Sequence, residues 1–187
     1  MRQILIIVAH PKADSFSFAM ANTYKESQEK QNNHVEILDL YRDTHQQSFL
    51  SYTDINEHPA DESTLYYQEK ITKADEIVFV FPYWWGSFPA IMKNFIDCNL
   101  TTNFAFKYKN SRPVGLLTNK TAKVLTTTGA PTWIYTLTGA NRRLKNTIKE
   151  QIVSFCGMKL TGYHTFGGID TRAKNCDKIL EKIKSLR

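Results

Sequence analysis

Apolar residues are distributed along the chain in two alternating patterns. Ile4 to Val8 and Glu76 to Phe81 are near-continuous apolar runs, as expected of parallel strands covered by helices on both faces. Val35 to Leu40, Ala122 to Leu125 and Met158 to Tyr163 are weaker runs of the same kind. Between them, helical spacing predicts helices over Ser15 to Lys30, Asp61 to Lys73, Pro89 to Cys98, Ala140 to Cys156 and Arg172 to Leu186. Strand and helix alternate throughout, which predicts an α/β, doubly wound parallel sheet.

Boundary residues agree with these elements. Asp14-Ser15 can cap the first helix, Pro89 suits a first helical turn, and Gly157 follows the apolar end of another. No repeat, low-complexity tract or Pro/Gly/Ser linker divides the chain, so one domain over residues 1–187 is expected. Two connections, Tyr41 to Ala60 and Leu100 to Asn119, exceed what joining elements requires. Long ordered loops in compact domains are often functional.

Composition then narrows the classes. With 42% apolar residues in 187, the chain can bury a sizeable core. Cys98, Cys156 and Cys176 are odd in number and far apart, which suggests neither a disulfide framework nor a zinc site. The apolar stretch after Met1-Arg2-Gln3 is too short for a signal core or a membrane span, so a cytoplasmic protein is expected. The formal charge of +6 favours anionic partners. Its cations are scattered, the densest groups being Arg142-Arg143-Lys145 and the C-terminal tail, and they read as solvated helix faces rather than a nucleic-acid surface.

In a doubly wound sheet a ligand binds at the carboxyl ends of the strands. Three segments emerge there. His10 to Ser17 joins a buried strand to a helix N-terminus, where free N–H groups and the helix dipole favour an anion. Simple capping by Asp14 or Ser15 accounts for this segment equally well. It contains neither a glycine-rich dinucleotide fingerprint nor a Walker loop. Phe81-Pro82-Tyr83-Trp84-Trp85-Gly86-Ser87-Phe88-Pro89 crowds aromatic rings into a short loop bounded by prolines, which suits a planar heteroaromatic ligand more than burial in a core. Thr126-Thr127-Thr128-Gly129 supplies hydroxyl donors and close backbone approach. Tyr135 follows it, either as a donor beside a reacting ring or as a structural tyrosine.

Together these segments resemble the flavodoxin-like NAD(P)H:quinone oxidoreductase family, which includes the modulator-of-drug-activity proteins and the ancillary oxidoreductases of bacterial potassium-efflux systems. The most specific stretch is Phe81 to Asp97, FPYWWGSFPAIMKNFID, followed by Asn103-Phe104-Ala105-Phe106. The Ala9-His10-Pro11 opening, Ser15-Phe16-Ser17 and Thr127-Thr128-Gly129 agree with it. The resemblance implies a flavodoxin-like five-stranded parallel sheet in the order 2-1-3-4-5. It also implies a flavin, FMN or FAD, with NAD(P)H as co-substrate, and a homodimer whose site is built from both chains. His10, Ser15, Phe16 and Ser17 would hold the flavin phosphate and ribityl groups. Pro82, Tyr83, Trp84 and Trp85 would line its ring, and Thr127, Thr128 and Gly129 its pyrimidine edge. Tyr135 matches a tyrosine lying over the flavin, whereas the family's histidine six positions later is here Asn141, and the glycine after Gly129 is Ala130.

The expected activity is two-electron reduction of quinones or similar small acceptors by ping-pong hydride transfer, with Tyr135 as the catalytic hydrogen-bond donor. No bound metal and no nucleic-acid partner are expected. The alternatives are a flavodoxin-like electron carrier and a flavin-bearing regulatory subunit of a transporter.

Overall fold

The structure, a computed structural model, is described for residues 1–52, 60–169 and 176–186. Among the described residues, seven strands and six α-helices follow in order. They are β1 (Gln3–Val8), α1 (Phe16–Glu29), β2 (His34–Asp39), α2 (Glu62–Lys73), β3 (Glu76–Pro82), α3 (Ala90–Asn99), β4 (Phe106–Lys109), β5 (Arg112–Gly115), β6 (Thr121–Thr128), α4 (Thr132–Leu137), α5 (Ala140–Asn146), β7 (Lys159–Gly167) and α6 (Cys176–Lys184). Five strands form one parallel sheet in the order β2-β1-β3-β6-β7. Setting aside the separate β4–β5 ribbon, this is the expected 2-1-3-4-5 arrangement.

Each face of the sheet buries one register of side chains, because successive residues of a strand point to opposite sides. Ile4, Ile6 and Val8 of β1 pack with Met20 and Tyr24 of α1 and Ile183 of α6. Leu5 and Ile7 face the other way, toward Tyr67 of α2, Phe95 of α3 and Leu144 of α5. β3 is buried along its whole length, as a central strand covered on both sides must be.

Three expectations change. The helix expected over Ala140 to Cys156 is α-helical only to Asn146 and continues as π-helix over Thr147–Val153. There the Ser154 N–H donates to the carbonyl of Lys149 at 2.8 Å. The wider turn brings Leu144, Ile148 and Val153 to one buried stripe at spacings of four and then five residues, which a regular α-helix would not align. The Leu100 to Asn119 connection is not plain loop, since it folds β4 and β5 around an Asn110-Ser111 turn with both φ values positive. The strands β6 and β7 extend beyond the stretches expected, into the threonines and to Gly167.

The described part of the Tyr41 to Ala60 connection is tied down by amides. Asn94 Nδ2 donates to the Gln47 carbonyl at 2.9 Å, and the Gln47 and Asn99 side chains bond each other. Residues 53–59 of that connection, and Arg172 to Asn175 of the last expected helix, lie outside the described residues.

The amino-terminal end of the sheet is closed by a buried charge cluster. Glu76, 2% exposed, accepts from Tyr24 Oη at 2.9 Å and pairs with Lys123 Nζ at 3.0 Å and Arg2 at 2.9 Å. Lys123 Nζ also donates to the Tyr24 hydroxyl. Burial pushes the Tyr24 phenol up and the Lys123 ammonium down, each away from its charged form.

Candidate active site

At the opposite end, the carboxyl ends of β1, β3 and β6 surround a cavity of about 230 Å³. It is lined by His10, Phe16, Ser17, Pro82, Tyr83, Trp84, Thr127, Thr128, Gly129 and Ile169. Three segments far apart in sequence thus meet because their strands are neighbours, β1 beside β3 and β3 beside β6.

The first wall is the β1–α1 turn. Ser15 is the N-cap of α1, and its Oγ accepts from the Phe18 N–H at 3.4 Å. Ser17 is free of the capping task. Its hydroxyl is buried, with the residue 1% exposed, and has no hydrogen-bond partner among the described residues. A buried hydroxyl left unpaired is costly. One that lines a cavity beside the N–H groups of a helix terminus fits an anionic or polar ligand group. His10 stands on the rim, where burial, followed by the charges of Arg42 and Lys12, lowers its pKa below the usual 6.5. The Lys12 N–H donates to His10 Nδ1 at 3.1 Å, which leaves Nε2 as the protonated nitrogen of the neutral ring.

The second wall is the loop after β3. The Tyr83 N–H donates to the Thr127 carbonyl at 2.8 Å, so the loop is fastened to β6 where the cavity opens. Trp84 and Ser87 exchange both backbone hydrogen bonds, at 2.9 Å each, around Trp85 and Gly86. Both central residues have positive φ, 50° and 83°. Such a turn favours Asn or Gly at its first position, and a tryptophan there carries backbone strain of about 1–3 kcal/mol. The strain projects Trp85 outward at 104% exposure, whereas the Trp84 ring stays 5.9 Å from His10.

The third wall is the β6–α4 turn. The Thr128 Oγ donates to the Ala130 carbonyl at 2.9 Å and closes the turn. A Cβ on Gly129 would meet no protein atom within 4 Å, and its φ is not positive. The backbone conformation does not require glycine here, so what glycine provides is clearance toward the cavity. Tyr135 of α4 is at the mouth, its ring 5.0 Å from Tyr83 and nearly perpendicular to it.

Of the residues singled out in the sequence, nine line the cavity. Ser15 supports the wall from behind as a cap, Tyr135 stands at the mouth, and Trp85 points to solvent. Asn141 does not face Tyr135 as a hydrogen-bond partner; its Oδ1 accepts from Thr165 Oγ1 of β7 at 2.6 Å. Ile169 was missed. Its N–H donates to the Thr128 carbonyl at 3.2 Å, and the Gly167-Gly168 pair that ends β7 was the available signal that this strand end also reaches the site. Among the described residues no group of His, Cys, Asp and Glu could hold a metal ion.

A family profile described as a flavodoxin-like fold matches residues 2–186. The chain belongs to that family. It is 33% identical over 172 residues to an NAD(P)H oxidoreductase of Haemophilus influenzae named as uncharacterized, covering 88% of this chain and 83% of that one. It is 31% identical over 193 residues to the FMN-dependent NADH:quinone oxidoreductase of Clostridium beijerinckii, covering 97% and 94%. Among solved structures, the NAD(P)H:quinone oxidoreductase of Methanothermobacter marburgensis superposes with a TM-score of 0.88 at 25% identity, over 98% of this chain and 95% of that one. Family membership accounts for the order of the sheet and the position of the cavity.

Proposed function

We propose that this protein is a flavin-dependent NAD(P)H oxidoreductase that reduces quinones or similar small acceptors two electrons at a time, in a ping-pong cycle. The observation that carries the reading is the unpaired Ser17 hydroxyl, buried in a cavity wall at the N-terminus of α1. The similarity to proteins named as quinone oxidoreductases over nearly their whole length supports it.

The residues present fit a flavin. Ser17, His10 and the first N–H groups of α1 would hold the phosphate and ribityl groups, with Ser15 keeping the helix end in shape. Pro82, Tyr83 and Trp84 would flank the ring system, and Thr127, Thr128 and Gly129 would face its polar edge. When bound, the flavin supplies the hydride-accepting and hydride-donating chemistry. The protein's part is to bind, orient and exclude water. N–H groups of the β6–α4 turn would stabilise negative charge at the ring edge. Tyr135, beside Tyr83 at the mouth, would donate a hydrogen bond to the acceptor oxygen. Asn141 carries an amide committed to Thr165 and has no proton to give at neutral pH, so it serves to anchor α5 against β7.

In this reading residues 1–187 act as one cytoplasmic domain; among the described residues no helix is long and apolar enough to cross a membrane. The protein pairs as a homodimer through the 100–119 segment. Phe106 packs on Phe155, and Tyr108 (63%) and Val114 (40%) are left exposed on the ribbon, available to a second copy.

Steady-state oxidation of NADH or NADPH with varied quinone tests the function. Parallel double-reciprocal lines are expected. Intersecting lines would refute the ping-pong cycle, and no quinone-dependent turnover in flavin-loaded protein would refute the enzyme. Light scattering after gel filtration tests the dimer.

A further inference from the structure

The mouth of the cavity carries a charge that the proposed reaction does not use. Arg143 is the fourth residue of α5, and its Nη1 donates to the Thr138 carbonyl at 3.0 Å. This folds the guanidinium back over the turn between α4 and α5. That turn is made at Gly139, whose φ is 70° and where an added Cβ would come within 3.4 Å of Arg143 Nη1. The side chain is thereby held against the C-cap of α4, the helix that carries Tyr135. Its charge reaches the Tyr83 phenol, where it opposes the upward push of burial. Among the described residues no carboxylate acts on Tyr83, and none lines the cavity. Arg143 forms no ion pair among the described residues, in contrast to Lys25, Lys70, Lys73, Lys93 and Lys184, each of which is paired with an acid.

The loop after β3 and helix α4, which meet at Tyr83 and Tyr135, present aromatic and apolar side chains at the surface. Tyr83 and Tyr135 meet edge to face, and Trp84, Trp133 and Leu137 are exposed at 41%, 65% and 80%. Flat aromatic walls together with a guanidinium that forms no ion pair among the described residues favour a ligand with an aromatic body and an anionic substituent, since a guanidinium binds carboxylate, sulfonate or phosphate through paired N–H donors.

We propose that the acceptor site selects aromatic acceptors bearing an anionic group, and that Arg143 is the residue that binds this group. The inference rests on the oxidoreductase reading for its reaction, but not for its binding step. The cation is fixed by the Thr138 carbonyl and Gly139 before any ligand arrives, so little side-chain ordering opposes binding.

The test uses flavin-loaded protein with two probes, a naphthoquinone sulfonate and the parent naphthoquinone. The expected result is a higher kcat/KM for the sulfonate, falling as salt is added. Arg143→Gln should lower the ratio of sulfonate to parent kcat/KM about tenfold, the lower end for a charge-assisted hydrogen bond. Arg143→Lys should restore part of it, and Arg142→Gln should leave the ratio as it is. A ratio unchanged in Arg143→Gln overturns the proposal. Binding of naphthalene sulfonate, a non-reacting probe, is followed in parallel by quenching of tryptophan fluorescence. If neither quinone turns over, the oxidoreductase reading fails, and the binding measurement alone decides this proposal. Salt-sensitive binding that weakens about tenfold in Arg143→Gln upholds it, and binding indifferent to Arg143 refutes it.

Discussion

Replacing Ser17 by alanine separates ligand binding from folding, because the two should respond in opposite directions. The Ser17 hydroxyl is buried in a residue 1% exposed and has no partner among the described residues. Leaving such a group unsatisfied costs about 1–3 kcal/mol. Ser17→Ala removes that penalty and leaves a void of about one hydroxyl. In flavin-stripped protein a net gain of about 1 kcal/mol is expected, a rise in Tm of roughly 2–4 °C for a chain of this size. In the loaded protein the hydroxyl would be paired with a charged or strongly polar group, a bond of about 1.5–3 kcal/mol. Its loss should weaken flavin binding roughly 10- to 100-fold. Thermal melts of stripped protein and titration of flavin fluorescence read the two effects separately. Loss of stability together with unchanged flavin affinity would show instead that Ser17 is an ordinary packing residue.

Other consequences are equally specific. Glu76→Ala leaves the buried Lys123 without its carboxylate, and urea denaturation should show a loss of about 3–5 kcal/mol; a loss under about 1 kcal/mol would mean that the cluster is solvated. Gly115→Ala would place a Cβ 2.1 Å from the Gly157 nitrogen, and the forced separation of these backbones should lower the urea midpoint by an amount equal to about 1–3 kcal/mol. His10 and His164 both have pKa values lowered from 6.5, chiefly by burial. The native state therefore takes up their protons less readily than the unfolded chain, and stability should fall as pH drops below about 6.5. The double substitution of both by asparagine should flatten Tm against pH in that window, and an unaltered slope would contradict the assignment. Tyr135→Phe should slow acceptor reduction about 10- to 100-fold in stopped-flow traces, with the reduction by NAD(P)H affected less; equal effects on both half-reactions would remove its role as donor to the acceptor.

The parts of this molecule legible in the sequence are those governed by short-range pattern. Continuous apolar runs marked β1 and β3 because both faces of those strands are covered, and Ser15 and Asp61 marked helix starts because each caps one. The three loops of the site could be assembled from topology alone, since strand ends in a doubly wound sheet converge. What escaped depends on long-range contact. The π-helical turns at Thr147–Val153 follow from where the sheet lies beneath Ile148 and Val153. The outward turn of Trp85 depends on paired backbone bonds between Trp84 and Ser87. The division of labour between Ser15 and Ser17 needed the direction of each hydroxyl, which composition does not carry. Ile169 enters the site only because β7 pairs with β6 as far as Gly167.

The central claim is a flavin held in the cavity between β1, β3 and β6, taking electrons from NAD(P)H. It is tested most directly by the visible absorption spectrum of the purified protein, reconstituted with flavin if needed, before and after anaerobic addition of NADH or NADPH. A bound-flavin spectrum that bleaches on addition of the nicotinamide is expected, with Ser17→Ala retaining less chromophore. A protein that stays colourless after reconstitution, or a bound flavin that neither nicotinamide bleaches, would contradict it.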